Sequence, residues 1–166
     1  MPRLFWFLFT PMLATWIAMN FVTVPEITRL SGGLRLLDMR LCGYSFAEAQ
    51  DFVAAIGDDG AALYLRLQFR LDMIFPPLLG SVLFFCYRWL FPGRPGLLIG
   101  TLSLVYVVVD YLENFSVVTM LRAGASAITP EMAATASQWT VMKWSIALVG
   151  LVTLLIGIIV RFIRRQ

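Results

Sequence analysis

The stretch VYVVVDYLENFSVV, residues 105–118, places three polar side chains inside an apolar run that is long enough to cross a membrane. These side chains are Asp110, Glu113 and Asn114. A charged group that faces lipid costs at least ~2.5 kcal/mol on insertion scales, so such a group must face protein or water instead. The stretch therefore predicts a membrane-spanning helix that packs inside a bundle of other helices.

The composition around that stretch is typical of a membrane protein. Of the 166 residues, 60% are hydrophobic and only 14% are charged, whereas soluble domains are about half apolar and about a quarter charged. A helix needs ~20 apolar residues to cross a bilayer. Four runs are long enough, at about residues 4–24, 71–90, 97–121 and 139–160. We therefore predict an all-α fold, a four-helix transmembrane bundle that forms a single integral membrane domain over residues 1–166.

Two other interpretations of these runs fit the sequence less well. A soluble protein with four buried helices would carry more charge than this chain does. The first run could be a secretory signal, but its apolar part is too long for a signal peptide and no A-x-A-like cleavage site follows it. We expect this run to be retained as a span.

The long first loop contains the pattern of an amphipathic helix over about residues 45–57. Ser45 and Glu48 have the spacing of a capping box, and Gly57 is a suitable helix stop. One face of this helix is apolar and consists of Ala49, Phe52, Val53 and Ile56. We expect the helix to lie on the membrane surface or to cap the bundle. Docking of a protein partner on this helix is the alternative.

The distribution of arginine predicts the orientation. With four spans, both ends of the chain lie on one side of the membrane, here called the terminal side, and the opposite side is called the loop side. The short segments of the terminal side contain no acidic residue, and their arginines are Arg3, Arg88, Arg94, Arg161, Arg164 and Arg165. Since arginine-dense short loops stay inside, we expect both termini to be cytoplasmic, in a bacterial-type inner membrane.

Polar residues of all four spans converge in the half of the bundle nearer the loop side. Tyr106, Asp110, Glu113 and Asn114 share one face of the third helix, because positions three and four apart align. The other spans contribute residues at the same depth. The predicted ligand-binding residues are Asn20, Tyr64, Gln68, Asp72, Tyr106, Asp110, Glu113, Asn114, Thr140 and Lys143. We expect a polar cavity that is closed toward the terminal side and opens toward the loop side.

Two residues in this set, Asp72 and Lys143, need specific partners. Pro76 cannot donate a hydrogen bond to the carbonyl of Asp72, so that carbonyl needs another polar partner. Lys143 could pair with Glu113 or with Asp72. Alternatively, it could extend to the interface and stay solvated there.

The absent residue types exclude several chemistries. The chain has no histidine, which removes histidine-based metal oxygenases and Ser-His hydrolases. A net charge of +3 without a basic, aromatic-rich patch gives no basis for nucleic-acid binding. Carboxylate chemistry is left: proton transfer, divalent cation binding, or recognition of a cationic or hydroxylated lipid group. We predict no metal site and no cofactor.

Three short motifs occur in a recognisable order. They are LDMIFPP in the second span, DYLEN in the third and WTVMK in the fourth. This order resembles a pattern found in small four-span bacterial membrane proteins of unassigned activity. The resemblance implies that the polar residues of these motifs form one unit. These residues are Asp72, Asp110, Glu113, Asn114, Thr140 and Lys143, together with Pro76.

The leading functional hypothesis is non-enzymatic. It is a membrane protein that binds a lipid-like small molecule, or an accessory subunit of a larger membrane complex. Its expected partners are membrane lipids, and a protein partner or a second copy in a homo-oligomer is possible. The alternative is an intramembrane enzyme or proton-linked carrier that uses Asp110 and Glu113 as catalytic candidates. A polar network that only fixes the register of the helices is a third interpretation.

Overall fold

The computed structural model of the protein describes residues 3–163 and, within them, contains six α-helices and no strand. The helices are α1 (Arg3–Ala18), α2 (Val24–Leu30), α3 (Phe46–Leu63), α4 (Phe69–Leu90), α5 (Arg94–Ala123) and α6 (Pro130–Ile163). The predicted all-α fold is confirmed. Arg164 and Arg165, which contribute to the predicted charge of the terminal side, lie outside the described residues.

Within the described residues, four helical segments are long and apolar enough to cross a membrane, which indicates an integral membrane protein. A π-helical turn, Met19–Thr23, joins α1 to α2, and a second one, Tyr64–Gln68, joins α3 to α4. Each apolar run predicted from the sequence lies within one of these helices. The four helices are Arg3–Leu30, Phe46–Leu90, Arg94–Ala123 and Pro130–Ile163.

Helix α4 lies at the centre of the bundle. It packs against α1 on one side and α5 on the other, and α5 packs against α6. Ser103 on α5 donates a hydrogen bond to the carbonyl of Gly80 on α4 at 2.9 Å, and Tyr87 on α4 donates one to the carbonyl of Gly150 on α6 at 2.8 Å. Within residues 3–163, α1 and α6 are not packed closely against each other. The bundle is therefore open along one side, between these two helices.

Small residues on α6, Gly150 and Gly157, allow it to approach α4 closely. A Cβ atom at Gly157 would lie 2.8 Å from the Phe91 ring, and one at Gly150 would lie 3.0 Å from the Tyr87 hydroxyl. Since no larger residue fits at these contacts without movement of a neighbour, the glycines hold α6 against the end of α4.

The loop side of the bundle is covered by residues 31–45 and helix α3, which together are called the cap and which pack on the bundle. The predicted capping box is confirmed, since Ser45 accepts from the Glu48 N–H and Glu48 accepts from the Ser45 N–H. The predicted stop at Gly57 is confirmed, because Gly57 takes φ 62° and ψ −177°, which lie outside the helical range and which glycine adopts readily. A second helical segment follows this kink to Leu63, and α3 comprises both segments. The cap and the bundle share a core of fully buried side chains that includes Ile27, Leu36, Leu37, Phe52, Val117 and Met120.

The outward faces of the four long helices are apolar. Leu98, Leu148 and Phe162 are each more than 60% exposed, and many other large apolar side chains are exposed beside them. A soluble monomer rarely exposes apolar surface on this scale. These faces therefore suit contact with the acyl chains of a bilayer.

Candidate ligand-binding site

Lys143 is the one basic side chain, among residues 3–163, within a buried group of polar side chains. It projects from α6, and its Nζ atom contacts the Glu113 carboxylate and lies 3.6 Å from Oδ1 of Asp110. The predicted pairing with Glu113 is confirmed, whereas no ion pair with Asp72 forms. The Lys143 charge is held inside the bundle, because its side chain is only 10% exposed.

Glu113 is fixed from two directions. Its Oε1 atom accepts a hydrogen bond from the Thr140 hydroxyl at 2.6 Å, and its other oxygen contacts Lys143. Thr140 and Lys143 lie three residues apart on α6, so they present both groups from one face of the helix. A fully buried carboxylate is tolerable only with such partners, since desolvation alone would cost several kcal/mol.

Asn114 connects α5 to α4. Its Nδ2 atom donates to Oδ2 of Asp110 at 3.0 Å, one helical turn earlier, and to the carbonyl of Asp72 at 3.4 Å. That carbonyl is the one that Pro76 leaves without a backbone donor. The prediction that this carbonyl needs another polar partner is confirmed, and the partner comes from α5.

A second proline-freed carbonyl is satisfied in the same way. Pro77 cannot donate to the carbonyl of Met73, and the hydroxyl of Tyr111 donates to that oxygen at 2.8 Å. Tyr111 was not among the predicted site residues, because nothing in the sequence shows which residue of α5 faces Met73. The two prolines of α4 thus explain two polar contacts with α5.

Asp72 is held by the π-helical turn before α4. The Nε2 atom of Gln68 lies 3.2 Å and 3.1 Å from the two carboxylate oxygens of Asp72. The amide oxygen of Gln68 in turn accepts a hydrogen bond from the Thr23 hydroxyl. This chain of contacts ties the first helix to α4 at the depth of the polar group.

Asp38 joins the group from the first loop, although it was not among the predicted site residues. Its backbone carbonyl accepts from Nε1 of Trp144 at 2.9 Å, which holds the loop against α6. The side chain is 8% exposed, and its Oδ1 atom has no hydrogen-bond partner among residues 3–163. Burial raises the pKa of the Asp38 carboxyl, and the nearby Lys143 charge opposes that rise.

A cavity of about 670 Å³ runs from this polar group along the inside of the bundle. Its volume is within the range of ~300–1,000 Å³ that is usual for small-molecule sites. On α4 it is lined from Asp72 to Tyr87, a length of ~22 Å at 1.5 Å per residue. Trp16 and Asn20 line it from the first helix, and Trp144 from α6, so it lies where α1 and α6 stand apart.

The capping loop lies at the end of the cavity where the sequence predicts an opening. Asp38 and Met39 line this loop-side end, and the neighbouring Leu36 and Leu37 are fully buried in the cap. From there the cavity extends toward the terminal side, past Leu83 and Leu154, between apolar walls. The capping loop is therefore a part of the site that the sequence did not reveal.

The predicted site residues divide into two layers. Six of them line the cavity: Asn20, Gln68, Asp72, Tyr106, Asp110 and Lys143. Glu113, Asn114 and Thr140 lie behind this wall and hold Lys143, Asp110 and the Asp72 carbonyl in place. Tyr64 is also outside the wall, in the apolar core of the cap, and its hydroxyl has no partner among the described residues.

The acidic groups are not arranged as a metal site. Within residues 3–163, no three side chains of histidine, cysteine, aspartate or glutamate could hold a metal ion together. Four acids, Asp38, Asp72, Asp110 and Glu113, nevertheless occupy one buried region with the single cation of Lys143. The region therefore has more acid than base.

No protein-family model matches this chain, and no curated protein or solved structure is significantly similar to it. The fold and the site define a four-helix membrane bundle with a laterally placed cavity.

Proposed function

We propose that the protein binds an amphipathic, lipid-like molecule in the cavity between α1 and α6. The observation that carries this proposal is the asymmetry of the cavity. Its loop-side end is lined by Asp38, Asp72, Asp110 and Lys143, whereas its walls toward the terminal side are mainly aliphatic and aromatic. A molecule with a polar head and an apolar tail matches both ends.

The position of the cavity supports binding from within the membrane. It lies between helices whose outer faces are apolar, and α1 and α6 leave it uncovered along its side. Because the cap covers the loop-side end, a ligand with an acyl chain would enter laterally. This geometry favours ligand binding over the role of an accessory subunit, for which the described residues offer no comparable feature.

A groove-filling substitution tests the proposal. Leu83 lines the cavity, whereas Ile74, on the same helix α4, is 51% exposed and lies outside it. We expect native mass spectrometry of the protein, released from a mild detergent, to show bound lipid-like molecules. Leu83→Trp should remove them, and the matched variant Ile74→Trp should retain them. Equal occupancy in both variants, or no bound molecule in the unmodified protein, would overturn the proposal.

A second candidate function is proton transfer, as in an intramembrane enzyme or proton-linked carrier. It is favoured by the ionisable series from Glu113 through Lys143 to Asp110, because Asp110 faces the cavity. In proteoliposomes with a pH-sensitive dye, this function predicts proton flux that Asp110→Asn abolishes. The absence of flux with the unmodified protein would remove this candidate.

The proposed orientation places the terminal side in the cytoplasm of a bacterial inner membrane. It is supported by Arg88 and Arg94, which flank the short turn between α4 and α5, and by Arg161 near the end of α6. Reporter fusions at the C-terminus test it, since a cytoplasmic reporter should be active and a periplasmic one inactive. The reverse pattern would contradict the orientation.

A further inference from the structure

We infer that the head group of the bound molecule carries a protonated primary amine, which inserts among the carboxylates of Asp38, Asp72 and Asp110. The inference rests on the proposed function, because it names the chemical class of the molecule in the same cavity. It follows from three observations: the balance of charge in the cavity wall, the unpartnered acceptor atom, and the hydrogen-bonding capacity of possible head groups.

The balance of charge favours a cation. Among residues 3–163, the charged side chains that line the cavity are the acids Asp38, Asp72 and Asp110 and the base Lys143. Lys143 already contacts Glu113, which lies behind the wall, so one carboxylate outside the cavity offsets its charge. Three acidic groups then face the cavity without an equal number of positive charges from the chain.

The acceptor atoms favour a hydrogen-bond donor. An ionised carboxylate can accept about four hydrogen bonds. Asp110 has Asn114 and Lys143 as neighbours, and both oxygens of Asp72 share the single amide group of Gln68. Asp38 lines the cavity as a residue, and its buried Oδ1 atom has no partner among the described residues. A buried acceptor of this kind is costly unless a ligand donates to it.

A primary ammonium group meets both conditions. It carries one positive charge and three donor hydrogens, so it can contact several carboxylates at once. A hydroxyl group supplies a donor without charge, and a trimethylammonium group supplies charge without a donor. A carboxylate head would add negative charge to a wall that is already acidic. The apolar walls beyond the head provide room for the hydrocarbon tail.

The test compares head groups on one hydrocarbon chain. Trp16 and Trp144 line the cavity, so a bound molecule should change tryptophan fluorescence of the full chain in a neutral detergent. The probes are hexadecylamine, hexadecanol, palmitate and hexadecyltrimethylammonium. A lysophosphatidylethanolamine is included as a second source of a primary amine that also carries a phosphate. We expect hexadecylamine to bind about ten-fold more tightly than hexadecanol or hexadecyltrimethylammonium, the ratio of one charge-assisted hydrogen bond.

Two isosteric variants locate the head group. Asp38→Asn removes the charge of the unpartnered carboxylate and should weaken hexadecylamine binding by about ten-fold while hexadecanol binding is unchanged. Asp58→Asn removes a carboxylate from the exposed surface of the cap and is the matched control, for which we expect no change. The comparison of head groups on the unmodified protein stands even where a variant does not fold.

The outcomes distinguish failure of the inference about the head group from failure of the proposed lipid binding. A preference for either amine-headed probe supports the inference, and the better of the two shows whether the natural head carries a phosphate. Equal binding of all the probes would overturn the inference and leave lipid binding in place. Tighter binding of palmitate would also overturn it, because the head would then be an anion. If none of the probes binds, both the inference and the proposed function fail.

Discussion

The two halves of the bundle differ in the groups that they bury. The half nearer the loop side buries charged and amide groups and closes over them with an apolar cap built around Leu36, Phe52 and Met120. The half nearer the terminal side has few polar groups, and there the cavity is lined by apolar side chains of α4, α5 and α6. The comparison indicates that the cap covers the half in which polar groups must be shielded, whereas the apolar half needs no such cover.

The largest expected effect comes from removing the cation of the polar half. Lys143→Met should destabilise the protein by about 3 kcal/mol, because it leaves the buried Glu113 carboxylate without its ionic partner. The measurement is the unfolding of the purified protein in mixed micelles with increasing denaturing detergent. Arg70→Met is the control, because Arg70 is exposed and its loss should change stability little.

The charges of Lys143 and Glu113 can also be removed together. Adding Glu113→Gln to Lys143→Met takes away the charge that the single variant strands, so most of the lost stability should return. Additive losses in the double variant would mean that the two side chains contribute independently, and the account of a coupled pair would then be incorrect.

A smaller loss is expected when Glu113 keeps its charge and loses a donor. Thr140→Val removes the hydroxyl that binds Oε1 of Glu113 and should cost about 2 kcal/mol, as for a buried acceptor that loses its partner. Thr119→Val is the matched control, because the exposed Thr119 hydroxyl bonds only to the Phe115 carbonyl of its own helix. Similar stabilities of the two variants in the same unfolding assay would argue against a special role for Thr140.

Removal of the contact between α4 and α5 at Pro77 should cost less stability still. Tyr111→Phe leaves the Met73 carbonyl without its donor and should cost about 1 kcal/mol, the scale of side-chain hydrogen bonds between membrane helices. In a Pro77→Ala background the backbone supplies a donor again, so Tyr111→Phe should then have little effect. An equal cost in both backgrounds would show that Tyr111 acts through something other than the freed carbonyl.

Several features of the polar half could be predicted from the sequence alone. The depth and helix faces of Asp110, Glu113 and Asn114 follow from helical periodicity and the cost of charge in lipid, so their burial was predictable. The pairing of Lys143 was narrowed to two acids, because the sequence gives the depth of a residue but not the rotation of its helix.

The groove, and the contribution of the capping loop to it, could not be predicted from the sequence for a different reason. Asp38 lies between Leu37 and Met39, and these apolar neighbours were an available sign of burial. The direction in which the cavity opens depends on where a long loop folds back, and no local pattern determines that. The lateral gap between α1 and α6 likewise depends on the order of helix packing.

The smallest expected effect is a dependence of stability on pH through Asp38. Burial raises the pKa of this carboxyl in the folded state above its unfolded value of ~3.9. As pH rises above ~3.9, Asp38 therefore ionises more readily in the unfolded chain than in the folded protein, and the folded state loses stability. Asp38→Asn should remove that part of the dependence. The charged and titratable groups around Asp38 are Lys143, Asp72, Asp110, Glu113, Tyr44 and Tyr64.

These neighbours remain in the variant, so the difference between the two proteins isolates Asp38. Unfolding in the same micelles, from about pH 4 to about pH 8, should show the unmodified protein losing stability relative to Asp38→Asn as pH rises. A constant difference across this range would mean that Asp38 does not change its ionisation there.

The most direct measurement of the contrast between the two halves is the position of a bound amphiphile. An alkylamine with a photoreactive diazirine at the far end of its chain can be cross-linked to the full protein, and the modified residues can be identified by mass spectrometry. With the head among the acids, the tail should label the terminal-side walls at Leu83, Ile99 and Leu154. Labelling at the outward-facing Leu98 and Leu148 instead would contradict a site in the groove.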